Sequence, residues 1–148
     1  MASKSQSNIT FDMLVPSERI RLVNYFFGIP ESRLSRQGHF CHLWRGKKNQ
    51  DKYGVVKLTL DLKSGESKTK EMLIHRLAYY AVHREKGFDP EKDFGVSHLC
   101  GVRLCANPEH LTYENIQINL DRRPCHLKGV CSGHDGHKDC VFEVRTYD

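Results

Sequence analysis

Cys100, Cys105 and His110 recur at intervals of five residues, and a second run follows with Cys125, Cys131, His134, His137 and Cys140. Thiolates and imidazoles at short spacings are the donors that zinc gathers in tetrahedral sets of four. The first run is one ligand short, and the only cysteine left over is Cys41, far upstream. Two zinc ions, one tying Cys41 to the middle of the chain, would use every cysteine. The second set is expected to be Cys125, Cys131, His134 and Cys140, because His134 follows Cys131-Ser-Gly in a tight turn. His137 is the rival imidazole and His126 a more distant one.

Six cysteines in a short chain also suit a disulfide framework. Against that, the stretch MASKSQSNITFDMLVP carries no apolar run that would serve as a secretory signal. In a reducing compartment, clustered Cys and His serve metal more often than disulfides. An intracellular location is therefore expected, and no apolar run approaches the length that crosses a bilayer.

His98 lies two residues before Cys100 and is not needed as a ligand, so its imidazole is free to act as a base. Downstream, a short helix is expected from Thr112 or Tyr113 to about Arg123, ended by Pro124. Asn115 and Asn119 stand four apart on one face of it, with Arg122 and Arg123 a turn further on. A strand carrying His98, a zinc-braced turn and this helix would bring imidazole and carboxamide to one point. An amide oxygen is a hard donor suited to Mg²⁺, which keeps several waters and takes phosphate oxygens as further ligands.

The other elements must hold this centre in place. A helix is expected from Ser17 to Phe27, opened by Pro16 and closed by Gly28 and Pro30, with Ile20, Val23 and Phe27 at helical spacing. His39 to Arg45 and Tyr53 to Leu60 read as strands, the second with Val56, Leu58 and Leu60 on one face and Lys57 and Thr59 on the other. Ser64-Gly65 is a turn, Ser67 to Lys70 begins a third strand, and Lys70 to Lys86 reads as a second helix with a Leu73, Leu77, Tyr80, Ala81 stripe. The expected fold class is α+β, a small antiparallel sheet with flanking helices and two structural zinc sites. Residues 1–12 are expected to form a flexible tail before one zinc-braced domain, 13–148.

Charge adds a partner. Arg33 to Lys86 holds thirteen Lys or Arg against five Asp or Glu, so this segment carries +8 of a total of +5 and the remainder −3. A basic segment beside a metal-rich one suggests a polyanion such as nucleic acid. A β-ribbon with Lys57 and Thr59 outermost suits a DNA major groove.

The segment SHLCGVRLCANPEHL, followed by NIQIN and the second Cys/His cluster, resembles the His-Cys box homing endonucleases of the ββα-metal, or His-Me finger, nuclease superfamily. The similarity runs from about Phe40 to Cys140 and includes FCHLW, KYGV and IHR. It implies a Mg²⁺-dependent endonuclease with the His-Me finger fold. His98 would deprotonate the attacking water and Asn119 would hold a single catalytic Mg²⁺. It also implies two structural zincs, on Cys41, Cys100, Cys105 and His110 and on Cys125, Cys131, His134 and Cys140. An arginine that the family carries on its DNA-binding sheet has no clear counterpart; Lys68, Lys70 and Arg76 occupy about that region. The expected partner is double-stranded DNA, cut by a homodimer, with the protein in the nucleus. The alternative is a zinc-containing DNA-binding module of the same fold without cleavage, similar to the amino-terminal domain of Smad proteins. A protein-interaction domain is a third reading, and it leaves the basic segment without a use.

Overall fold

The computed structural model describes residues 9–36 and 40–142. Helix α1, Pro16–Phe27, begins where Pro16 supplies a preset φ at the first turn and ends at Gly28. Its inward face is Leu22 and Phe26, whereas Ile20 and Phe27 are exposed. Within the segment expected as a tail, Ile9 is only 2 % exposed and Phe11–Met13 forms a 3-10 turn. Residues 1–8 lie outside the described residues.

Strands β1, Val55–Asp61, and β2, Ser67–Leu73, form an antiparallel pair in a register from Val55 opposite Leu73 to Asp61 opposite Ser67. Alternation in β1 puts Val56, Leu58 and Leu60 in the core and Lys57 and Thr59 outside. The expected helix from Lys70 is corrected here. Lys70 to Leu73 continue β2, and helix α2 runs only Ile74–His83. Pairing along the whole of β1 takes up the backbone groups that these residues turn toward it, and Met72 joins the core from the strand. Leu77, Tyr80 and Ala81 pack inward from α2, and a single turn, α3 (Glu85–Phe88), follows it.

The strand expected over His39 to Arg45 is reduced to isolated bridges, Leu34 with Trp44 and Leu43 with Cys105; His39 is outside the described residues. Strand β3, Phe94–His98, pairs antiparallel with β4, Leu111–Asn115, from Phe94 opposite Asn115 to His98 opposite Leu111. Helix α4, Ile116–Lys128, starts later and ends later than the sequence suggests. Asn115 is its N-cap, its side chain accepting from the Gln117 N–H at 2.7 Å. Pro124 lies inside the helix, which closes at Gly129 with φ 77°. Buried Arg122 and Cys125 bracket Pro124 and hold the helix through a residue that would otherwise end it. The described residues are thus α+β, with two small antiparallel sheets and flanking helices. None of their helices is long and apolar enough to cross a membrane.

Candidate functional site

Cys41 reaches the middle of the chain by backbone pairing. The Trp44 N–H donates to the Leu104 carbonyl at 2.9 Å and the Ala106 N–H to the His42 carbonyl at 2.8 Å, laying 42–44 along 104–106. His110 ends the 3-10 turn Pro108–His110, which is capped by Asn107. Cys41, Cys100, Cys105 and His110 are all buried, with their donor atoms within 4.8 Å of one another. His110 Nδ1 lies 3.7 Å from Cys41 Sγ and 3.4 Å from Cys105 Sγ. A zinc tetrahedron has S···N edges of about 3.5 Å.

The thiols of this cluster cannot all ionise cheaply by themselves. Hydrogen bonds from Cys105 and Cys41 hold the Cys100 thiol far below its ordinary range, while Cys100 and Cys41 push Cys105 in the opposite direction. A bound cation removes that conflict, and a three-sulfur, one-nitrogen set suits zinc.

The second cluster joins helix α4 to the loop after it. Cys125, Cys131, His134 and Cys140 present donors within 4.8 Å of one another, with His134 Nε2 3.6 Å from Cys125 Sγ and 3.5 Å from Cys140 Sγ. His134, rather than the exposed His137, is the imidazole brought to the sulfurs. His126 turns away, with Nε2 2.9 Å from the Leu99 carbonyl. The Gly133 and Cys140 N–H groups each donate to Cys131 Sγ at 3.4 Å. These contacts, that from Cys140 first, lower the Cys131 thiol's pKa. Burial pushes the Cys140 thiol up to about 11, against the pull of Arg122.

His98 and Asn119 line one cleft of about 660 Å³. His98 closes strand β3 and is 8 % exposed. Its ring lies 4.2 Å from that of His75 and stacks on Tyr53 at 6.1 Å. Its Nε2 is 3.0 Å from the Cys105 carbonyl. A carbonyl only accepts, so Nε2 carries the proton and neutral His98 keeps its lone pair on Nδ1. Burial lowers the pKa, favouring that neutral form. Asn119, on the second turn of α4, is exposed. Arg76, Arg103, Arg123 and His126 also line the cleft, and among the described residues no carboxylate does.

His75 was missed by the sequence reasoning, although it stands in the quoted IHR segment. It is buried, its Nδ1 has no hydrogen-bond partner among the described residues, and a Val96 backbone contact holds the ring. Burial first, then His98, lowers its pKa well below the usual imidazole range. Only the three-dimensional contact with His98 reveals it, since the two are far apart in the chain.

The residues expected to face DNA divide. Lys57 and Thr59 are exposed on β1, opposite Glu71 and Thr69. Lys68 is half-buried, 4.0 Å from Glu66 Oε1. Lys70 lies elsewhere: opposite Leu58 it faces the core, 9 % exposed, its ammonium donating to the Ile9 carbonyl at 3.4 Å. Arg76 lines the cleft while donating to the Gly87 carbonyl at 3.0 Å and to the Phe88 carbonyl.

These observations define an α+β domain with two buried Cys₃His groups that fit zinc. The chain belongs to the homing endonuclease family whose model, described as the zinc-binding loop region of homing endonuclease, matches residues 40–145. Membership implies DNA binding and a nuclease-related role. No curated protein and no solved structure matches the chain.

Proposed function

We propose that this chain is a Mg²⁺-dependent endonuclease of the His-Me finger type that hydrolyses phosphodiester bonds in duplex DNA as a homodimer. The observation that carries the reading is the cleft shared by His98 and Asn119, walled by arginines and free of carboxylates among the described residues. The order β3, β4, α4 supports it, since two antiparallel strands followed by a helix are the elements of a ββα-metal unit.

In this reading, His98 accepts a proton from water at Nδ1, the nitrogen left bare by its bond to the Cys105 carbonyl. Tyr53 and His75 fix the plane of the ring, and burial keeps it neutral and receptive. The exposed carboxamide of Asn119 fits a hard cation that draws its other ligands from water and phosphate. Bound there, Mg²⁺ would supply Lewis-acid stabilisation of charge on the phosphate and the leaving oxygen. Neither Cys₃His group takes part in the chemistry: four protein ligands leave zinc no open position.

The test is nicking of supercoiled plasmid in Mg²⁺ by wild type, His98→Ala and Asn119→Ala, each checked for fold and zinc content. Wild type should cut and both variants should lose at least about 100-fold in rate. Plasmid binding without nicking by wild type would instead favour a non-catalytic DNA-binding module. Equal cutting by the variants would refute the site assignment.

A further inference from the structure

Of the arginines in the cleft, Arg103 is held differently from Arg76. It stands in the turn between Cys100 and Cys105, exposed, with Nη1 donating to the Asp51 carbonyl at 2.8 Å. Its guanidinium lies over the Tyr53 ring at 5.4 Å, and Tyr53 in turn stacks on His98. Guanidinium and imidazole thus both lie against the one phenol ring of Tyr53. Several other guanidinium groups among the described residues are more fully engaged. Arg21 and Arg122 are paired with carboxylates, while Arg36 and Arg76 each donate twice to backbone carbonyls. Arg103 has one such bond and no carboxylate partner among the described residues, so most of its five N–H donors are uncommitted.

We propose that Arg103 is a phosphate-binding residue, anchored by Asp51 and Tyr53 so that its free donors grip a backbone phosphate of the DNA lying against His98. This rests on the nuclease reading for the site, but not for the phosphate contact itself. Three features favour phosphate over another anion. The cleft walls carry positive charge from Arg76 and Arg123 as well as Arg103, and among the described residues no carboxylate lines them. A planar fork matches two non-bridging oxygens, which a lysine cannot do. Anchoring from two sides also removes much of the rotamer entropy that a long side chain loses on binding. Because the same tyrosine holds both groups, a phosphate seated on Arg103 would be registered against the imidazole. A positioning charge would then come from the metal-braced loop as well as from the basic segment.

Three variants separate charge from scaffolding. Arg103→Gln keeps a planar, hydrogen-bonding end group on a shorter side chain but removes the charge. Arg103→Lys keeps the charge but loses the fork, and Arg103→Ala removes both. Two readouts are taken on proteins with matched melting temperature and zinc content: kcat and KM for nicking supercoiled plasmid in Mg²⁺, and the salt dependence of binding to a short mixed-sequence duplex in Ca²⁺. Arg103→Gln and Arg103→Ala should lose about 100-fold in kcat, with Arg103→Lys intermediate. The slope of log K against log salt should become shallower by about 0.9 in the two neutral variants and stay unchanged in Arg103→Lys. A wild-type slope in Arg103→Gln overturns the proposal, whatever the nicking result. A shallower slope with no nicking by wild type leaves the phosphate contact standing and removes the nuclease reading. No DNA binding by wild type removes both.

Discussion

Arg122 and Glu114 form an ion pair sealed from solvent, and breaking one side of it should be the most damaging single change outside the metal clusters. Arg122 Nε and Nη2 donate to the two carboxylate oxygens of Glu114 at 2.7 and 2.8 Å, and the side chains are 0 % and 1 % exposed. Nη1 reaches Cys140 Sγ at 3.4 Å. Burial opposes the charge on Arg122, yet the Glu114 carboxylate and Cys140 sulfur outweigh it and raise its pKa. Arg122→Met would strand a buried carboxylate, which costs about 3–5 kcal/mol. For a domain of this size that lowers Tm by roughly 10 °C. Adding Glu114→Leu removes the stranded charge, and the double variant should regain most of the lost stability, because well-packed apolar pairs often match buried ion pairs. It should not regain metal affinity. Both variants lack the cation beside Cys140, so the second cluster should bind zinc about 10–100-fold more weakly. Thermal melts of the three proteins, with zinc competition against a chromophoric chelator, give both quantities. A single variant that melts with wild type would refute the account of the pair. A double variant with full zinc affinity would refute the link to Cys140.

Cys41→Ser should reduce bound zinc from two equivalents to one by elemental analysis, because the first cluster has no replacement sulfur among the described residues. Retention of two would remove Cys41 from the set. Glu18 accepts from Arg21 twice at 2.6 Å and from the Asp61 N–H, and the Arg21 bond holds its pKa below 4.5. A lowered folded pKa contributes stability that is present above the unfolded value and lost as pH falls through the folded one. Wild type should therefore exceed Glu18→Gln by about 1–2 kcal/mol at neutral pH, the half-exposed Arg21 limiting the gain, with the gap closing below pH 4.5. A gap independent of pH in urea melts would show that packing, not charge, is responsible. Gly87→Ala should cost about 1–3 kcal/mol, since a Cβ there would meet the Tyr80 nitrogen at 2.5 Å and the Arg76 oxygen at 2.7 Å. Gly95→Ala, with open space, should melt within about 0.5 kcal/mol of wild type.

What could be read from the chain followed from local signals. Pro16 and Gly28 mark helix α1 because a preset φ and a helix-breaking residue act where they stand. The two Cys/His gatherings were legible because short ligand spacings allow few other arrangements, and Cys41 followed as the remaining sulfur. The junction between β2 and α2 was not legible. Leu73, Leu77 and Tyr80 keep a helical interval, no Gly or Pro separates strand from helix, and only pairing with β1 holds 70–73 extended. Pairing also decides Lys70, which looks like a surface cation until Leu58 is placed opposite it. The end of α4 was misread at Pro124 because the contacts that carry the helix past it, through Arg122 and Cys125, come from β4 and from the loop after the helix. His75 and Arg103 escaped notice for the same reason: each becomes informative only through a ring far away in sequence.

The two clusters do not act on the cleft separately, and the reason lies in one residue's backbone. Leu99 sits between His98 and Cys100, and its N–H donates to the carbonyl of His110, a member of the first cluster, at 2.7 Å. Its own carbonyl accepts from the Val141 N–H at 2.9 Å, next to Cys140, and lies 2.9 Å from Nε2 of His126, next to Cys125. The peptides around Leu99 are therefore fastened to the first cluster on one side and to the second on the other. Cys125 stands on the helix that carries Asn119, and Cys105 supplies the carbonyl that sets the tautomer of His98. A domain with a modest core has few ways to hold two side chains from different elements to a fixed separation. Metal ligation converts binding energy into folding energy at the points where it is applied. Here those points flank His98 and Asn119, so the Cys₃His groups set the geometry of the cleft although neither would touch the substrate.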